Sequence, residues 1–389
     1  MRLNDIVKLA KETPFYQQIF DGCSCFEEFP VIDKRMVKNN PPDVLSHVNN
    51  GRIVKTSTSG SSGMPLDIFW HELEYYQSLS EVWKIRMRTG IYPTDRYCTV
   101  HVTMDVNGSC CGNKVIITKN NLSLSKCYSD PSTMRYYHRV LHEFLPKWMM
   151  VQPSFIYNLA LSFESQNLRL PDSIKLIELT GELCGESVLE KLKALYPNIR
   201  WTIAYGMQEF NVIAYGDTPY LYVMHNNVHV EILDENNLPV APGETGRIVV
   251  TGLKNTLMPL VRYETGDLGH YDSDKRLFID RARSNDPICF NGQMYDGSLF
   301  LAIVLLFNAS HGDLIRQFQV KLVDDTLEFN FLLNNDSSID KEVLEDYIKR
   351  YLYEHYKSEY FVKVNLVDQI KLYKTRNKIK YFINTTYKD

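Results

Sequence analysis

Thr58, Ser59, Gly60, Ser61, Ser62 and Gly63, followed by Met64 and Pro65, crowd hydroxyls and glycines into one short stretch between two apolar runs. Glycines let a backbone curl so that successive N–H groups point at one centre, and such a nest attracts phosphate. The hydroxyls of Thr58, Ser59, Ser61 and Ser62 add donors at that centre. No Gly-Lys-Ser/Thr ends the stretch, so it is not a Walker loop. Taken alone, the same composition also makes an ordinary turn or linker. Leu66, Ile68, Phe69 and Trp70 follow and read as a strand leading away from it.

Further polar clusters follow in order. Tyr205-Gly206-Met207-Gln208-Glu209 closes an apolar run, and Gly243-Glu244-Thr245-Gly246-Arg247 precedes the strand-like Ile248 to Thr251. Arg262-Tyr263-Glu264-Thr265-Gly266-Asp267, then Arg283-Ser284-Asn285-Asp286, then Lys374-Thr375-Arg376-Asn377-Lys378-Ile379-Lys380 complete the series. This ordered set, from the Phe15-Tyr16 region to Lys378, resembles the adenylate-forming superfamily of acyl-CoA ligases, luciferases and peptide-synthetase adenylation domains. It is most similar to the phenylacetate–CoA ligase branch, with its capsule-biosynthesis relatives.

The resemblance implies ATP-dependent activation of a small carboxylic acid as an acyl-adenylate. Pyrophosphate leaves, and the acyl group passes to a thiol, either coenzyme A or an acyl carrier protein, with an amine as the alternative acceptor. Under it the Thr58–Gly63 loop holds the triphosphate, and Glu209 holds Mg²⁺, which prefers hard carboxylate oxygens and phosphate. Tyr205, with Gly206 and Gln208 beside it, packs against adenine, and Thr180-Gly181-Glu182 supplies the adenine-side backbone. Asp267 grips the ribose hydroxyls, because a carboxylate can accept from both. Arg283, or its neighbour Arg281, reaches ribose or phosphate. Lys378 neutralises charge between the carboxylate and the α-phosphate, with Lys374 and Lys380 as alternatives, and Asn285 with Asp286 forms a hinge. Read without the resemblance, Glu209 is a loop glutamate, Tyr205 a core tyrosine and the lysine run a solvated face. Two rivals from other classes are a nucleotide-binding homologue without turnover and a purely structural subunit.

The chain departs from the usual pattern in places. Ser61-Ser62 stands for Thr-Thr, Leu66 for a lysine, Gln208 for Ser or Thr, Asn285 for the hinge aspartate and Asn377 for a glycine. The segment before the loop is also shorter than usual. None of these changes removes an essential charge. The acid itself is not legible, although His101, Val102 and Met104 fall where its pocket is expected. His225 and His229 read as surface histidines.

The elements that must position these groups follow from pattern and length. A chain of 389 residues exceeds one ordinary core. Strands at Tyr97 to Met104, Lys175 to Leu179 and Ile199 to Ala204 alternate with helices at Leu73 to Arg88, Thr133 to Leu145, Tyr157 to Glu164 and Glu186 to Tyr196. That alternation predicts a layered α/β domain with a parallel sheet. Strands at Tyr220 to Val223, Val228 to Leu233 and Gly246 to Thr251 predict a small antiparallel or barrel-like β subdomain. After the polar joint come strands at Gln317 to Leu322, Leu327 to Leu332 and Phe361 to Leu366, with a helix from Lys341 to His355. They predict a small mobile α+β C-terminal domain. The expected boundaries are 1–283 for the ATP- and acid-binding domain and 284–389 for the domain carrying Lys378.

A net charge of −4 argues against bulk capture of nucleic acid. No apolar run reaches membrane-spanning length. The Met-Arg-Leu-Asn start lacks a signal-peptide core, and eight cysteines lack a disulfide or zinc rhythm. A cytoplasmic enzyme with reduced thiols is the expectation.

Overall fold

The computed structural model describes every residue except Met1, 20–25, 40–41, 49–50, 59–65, 102–111, Cys127, 129–130, 282–286, 291–292, 297–298, Asp313, 335–337, 371–373, 376–377, 380–381 and 386–389. The chain divides into two compact units, Met1–Pro93 with Thr202–Ala282, and Thr94–Trp201 with Arg283–Asp389.

The second unit holds the parallel sheet. Strands Leu176–Thr180, Trp148–Val151, Tyr97–His101 and Asn121–Ser125 lie side by side in that order and run parallel; Val115–Ile117 adds an antiparallel edge. Parallel neighbours need crossovers. Helix Pro131–Phe144 links Asn121–Ser125 to Trp148–Val151, and helix Pro153–Ser165 links that strand to the next. Trp148, Met149, Val151, Leu176, Ile177 and Leu179 are all buried, the near-continuous apolar run of strands covered on both faces. Helix Pro153–Ser165 starts four residues before the expected Tyr157, because Pro153 at its first turn fixes φ without losing a needed donor.

The same unit includes the C-terminal α+β elements. Strands Phe361–Leu366, Thr326–Leu333, Ile315–Val323 and Phe382–Asn384 form a four-stranded sheet in that order. Helices Leu299–His311 and Lys341–Tyr356 bury Phe300, Phe307, Leu344 and Ile348 with Val320, Phe329 and Phe331. Asp340 caps the second helix by accepting from the Glu342 N–H.

The first unit carries the β subdomain. Strands Val228–Leu233, Gly246–Gly252, Tyr263–Tyr271 and Leu277–Arg281 form an antiparallel sheet, while only Tyr222–Val223 of the expected Tyr220 to Val223 is strand. Its core gathers Phe15, Tyr16, Phe29, Ile32, Trp70, Phe210, Val250 and Tyr263. Arg262 pins the start of the third strand at φ +50°. Its buried guanidinium lies 3.2 Å from Glu231 and donates to the carbonyls of Glu27 and Phe29. Burial raises the Glu231 carboxyl above its ordinary range, and the Arg262 charge opposes that rise. The arginine of this motif therefore serves the fold. Among the described residues no helix is long and apolar enough to cross a membrane.

Candidate active site

Strands Ile53–Ser57 and Asp67–His71 pair antiparallel, and Thr58 directly follows the first of them. Thr58 bonds twice to Leu66: its N–H donates to the Leu66 carbonyl, and its Oγ1 accepts from the Leu66 N–H, each at 2.8 Å. The rest of the loop, Ser59, Gly60, Ser61, Ser62 and Gly63, lies outside the described residues.

Tyr205 and Gly206 end the strand Arg200–Met207, which turns through 208–210 into Asn211–Asp217. The Phe210 N–H donates to the Met207 carbonyl at 3.1 Å, and Asn211 follows at φ +59°. The turn closes on this left-handed residue, the fourth after Met207, in a conformation asparagine tolerates. Gly206 is required there, since a Cβ would sit 2.2 Å from the Asn211 carbonyl oxygen. Asn211 Nδ2 donates to Ser78 Oγ at 2.6 Å, tying the hairpin to helix Glu72–Arg88. Gln208 at the tip is exposed, whereas Phe210 is buried edge-on against Tyr263 with ring centroids 5.7 Å apart.

Burial of Phe210 carries Glu209 inward with it. The Glu209 carboxylate is only 2% exposed and accepts from the Tyr263 hydroxyl at 3.0 Å. Among the described residues no basic side chain pairs with Glu209, and no donor other than Tyr263 bonds it. A carboxylate buried with one neutral donor is costly unless a cation joins it. Glu209 thus fits a hard cation shared with phosphate oxygens, the one-carboxylate arrangement magnesium accepts. No cluster of three or more metal-ligating side chains occurs among the described residues, and such a shared site needs none.

Asp267 lies within strand Tyr263–Tyr271, not after a free turn. Gly266 at φ +80° bends the strand just before it, and Thr265 holds the bend. Thr265 Oγ1 donates to the Ile248 carbonyl at 2.9 Å and accepts from the Asp267 N–H at 3.1 Å. Asp267 Oδ2 accepts from the Tyr205 hydroxyl at 2.6 Å. The two motifs are therefore cross-bonded: the tyrosine of each donates to the carboxylate that ends the other. Both have the same Tyr-x-x-x-carboxylate spacing. Motif reading gives Tyr263 no task of its own, and that matched spacing is the available signal of its contact with Glu209.

In the other unit, Thr180 ends strand Leu176–Thr180 and Gly181 follows, exposed at φ +82°. Glu182 Oε2 accepts from the Ser154 N–H at 3.3 Å, satisfying an open donor at the start of helix Pro153–Ser165. Its Oε1 lies 3.8 Å from the nearly buried Lys126 Nζ. The Glu182 side chain is thus committed to the scaffold. Next to it the Cys184 thiol is pushed up to about 12 by burial and by the Glu182 charge. His101 has both ring nitrogens engaged, one with Ser123 Oγ at 2.9 Å and one with the Asn113 carbonyl at 3.0 Å. The Asn113 carbonyl can only accept, so the ring nitrogen facing it carries a proton. Val102 and Met104 lie outside the described residues. His225 is exposed; His229 is half-buried edge-on to Phe26, and burial lowers its pKa.

Lys378 belongs to a two-stranded ribbon, with backbone pairs Lys374 to Ile379 and Thr375 to Lys378; its side chain lies outside the described residues. Arg283, Asn285 and Asp286 lie outside them altogether.

Comparison with known proteins bears on this arrangement. A family model for AMP-binding enzymes matches residues 54–258, more than half of the chain. The phenylacetate-coenzyme A ligase of Pseudomonas putida is 24% identical over 304 residues, which are 72% of this chain and 68% of that protein. Among solved structures, 2-hydroxyisobutyryl-CoA ligase in the postadenylation state with R3-HIB-AMP matches with a TM-score of 0.72 at 18% identity. That match covers 98% of this chain and 88% of the other. The McyG A-PCP structure complexed with phenylalanyl-adenylate matches with a TM-score of 0.59 at 13% identity, covering 86% and 67%. At such identities the structural likeness is one of fold. The family match takes in the Thr58–Gly63 stretch, the Thr180–Glu182 turn and the Glu209 hairpin, and by it the chain belongs to the AMP-binding enzyme family.

Proposed function

We propose that this protein activates a small carboxylic acid with ATP and passes the acyl group to a thiol. In the first half-reaction a carboxylate oxygen attacks the α-phosphorus, an acyl-adenylate forms and pyrophosphate leaves. In the second, the thiol sulfur attacks the acyl carbon and AMP leaves. The observation that carries this reading is the cross-bonded pair of carboxylates, Glu209 and Asp267, within an AMP-binding family member.

Each chain residue then has a chemical task. The Thr58–Gly63 loop gives N–H and hydroxyl donors to the triphosphate. Glu209 holds Mg²⁺, which when bound neutralises charge on the phosphate oxygens. Asp267 accepts from the ribose hydroxyls while Tyr205 holds its Oδ2. Thr180, Gly181 and the Glu182 backbone face the adenine, and Arg283 reaches ribose or phosphate. Lys378 offsets the charge that grows between carboxylate and α-phosphate.

Coenzyme A is the favoured acceptor, because the Pseudomonas putida sequence relative is a coenzyme A ligase. A carrier-protein thiol is the second, because an adenylation domain joined to a carrier is among the fold matches. Incubation with ATP and a panel of aryl, fatty and amino acids tests the reading by mass spectrometry. The expected products are acyl-AMP, and then a thioester with coenzyme A or a phosphopantetheinylated carrier. ADP in place of AMP would contradict it.

One site hosting two half-reactions needs a rearrangement between them. We assign the joint to Asn285 and Asp286, with residues 284–389 as the moving domain. Asn285→Pro fixes φ and removes a donor there. It is expected to impair one half-reaction far more than the other, measured by separate adenylation and transfer kinetics. Wild-type rates for both would place the joint elsewhere.

A further inference from the structure

Glu209 is presented by a hairpin tip, and tips are the most mobile part of a hairpin. A metal carboxylate there needs an outside constraint. Tyr263 supplies one from a different element. Its ring is fully buried, edge-on to Phe210, and its backbone pairs with Val250 on one side and bridges to Ile32 on the other. The residue before it, Arg262, is fastened to Glu231 and to the Glu27 and Phe29 carbonyls. The hydroxyl is thus a donor with little freedom to move, 3.0 Å from Glu209 Oε1. Among the described residues no donor bonds Oε2, so that oxygen keeps its lone pairs for a cation.

We propose that Tyr263 is the positioning residue for the Glu209 carboxylate, and that through it the strand carrying the ribose carboxylate sets the metal's contribution to nucleotide binding. Outer partners of metal ligands orient the ligand and raise its affinity for the metal. The reciprocal bond from Tyr205 to Asp267 joins the same hairpin to the same strand, so displacing either element disturbs both carboxylates. The inference rests on the reading of Glu209 as the metal carboxylate.

Calorimetric titration with the α,β-methylene analogue of ATP, with saturating Mg²⁺ and separately with EDTA, tests it without turnover. The ratio of the two affinities is the metal-dependent gain. Tyr263→Phe is expected to shrink that gain about tenfold, on the scale of losing a metal ligand's outer partner. Affinity in EDTA is expected to stay within about twofold, since the hydroxyl acts only through the metal ligand. Glu209→Gln should abolish most of the gain, and the double variant should lose no more than Glu209→Gln alone. A merely structural role for Tyr263 predicts equal losses with and without Mg²⁺, and that result overturns the proposal. So does a full gain in Tyr263→Phe when Glu209→Gln has lost it. A full gain in Glu209→Gln would instead remove the metal reading of Glu209, and the proposal with it. If Tyr263→Phe fails to fold, Glu209→Asp keeps the charge but draws it back by one methylene from the hydroxyl. It is then expected to lose the gain, and a full gain would overturn the proposal.

Discussion

Lys378→Ala is expected to slow adenylation on the order of 10²–10³-fold, the scale for removing one group aimed at charge that develops in a transition state. When a carboxylate attacks a phosphate, two anionic groups are forced together and the charge on the bridging oxygens grows. A cation placed there stabilises the transition state more than the bound substrates, so the loss falls on the rate and much less on ATP affinity. The second half-reaction starts from the mixed anhydride already formed, so it no longer needs that cation. Transfer from a supplied acyl-adenylate to the thiol should therefore survive in the variant. Lys374→Ala and Lys380→Ala are the controls, because all three lysines share one short stretch of sequence. Full adenylation by Lys378→Ala, or equal loss of both half-reactions, would assign the role to another residue.

Asp267→Ala is expected to weaken ATP binding by about 1.5–3 kcal/mol, the cost of losing hydrogen bonds to a charged acceptor. That is about 10- to 150-fold in Kd. Asp267 is 7% exposed and its backbone is set by Thr265 and Gly266, so the carboxylate is held in place before nucleotide arrives. The alanine variant also takes an acceptor from the Tyr205 hydroxyl. Asp267→Asn separates the two effects: it keeps one acceptor oxygen near Tyr205 and loses the charge, and an intermediate loss is expected. Calorimetry on the folded variants measures this, and an unchanged ATP affinity in Asp267→Ala would remove the ribose assignment.

Much of the scaffold was legible because its signals are local. Val228–Leu233 and Phe361–Leu366 match the expected bounds, and Leu176–Thr180 and Glu186–Leu195 match them within one residue. Those segments carry uninterrupted apolar or clearly periodic runs bounded by turn residues. Helix Leu299–His311 was missed, since its Leu-Phe-Leu-Ala-Ile-Val-Leu-Leu run is apolar on every side and has no period to read. Strand Tyr263–Tyr271 was hidden by the Thr265-Gly266-Asp267 punctuation, which reads as a turn and is instead a bend within a strand. The two carboxylates were legible as motif residues. Their partners were not: Tyr205 meets Asp267 and Tyr263 meets Glu209 only after residues more than fifty positions apart come together. Glu182 enters its motif through its backbone, and the contacts of its side chain, with the Ser154 N–H and Lys126, were not legible either.

Carboxylate and ATP combine in the proposed reaction with release of pyrophosphate, and ATP–pyrophosphate exchange measures that step alone. With labelled pyrophosphate, Mg²⁺ and a panel of aryl, fatty and amino acids, no thiol is required. Label is expected to enter ATP only when a cognate acid is present, and to do so far more slowly in Asp267→Ala and Lys378→Ala. Tight ATP binding with no exchange for any acid, or exchange that ignores the acid, would contradict the proposed reaction.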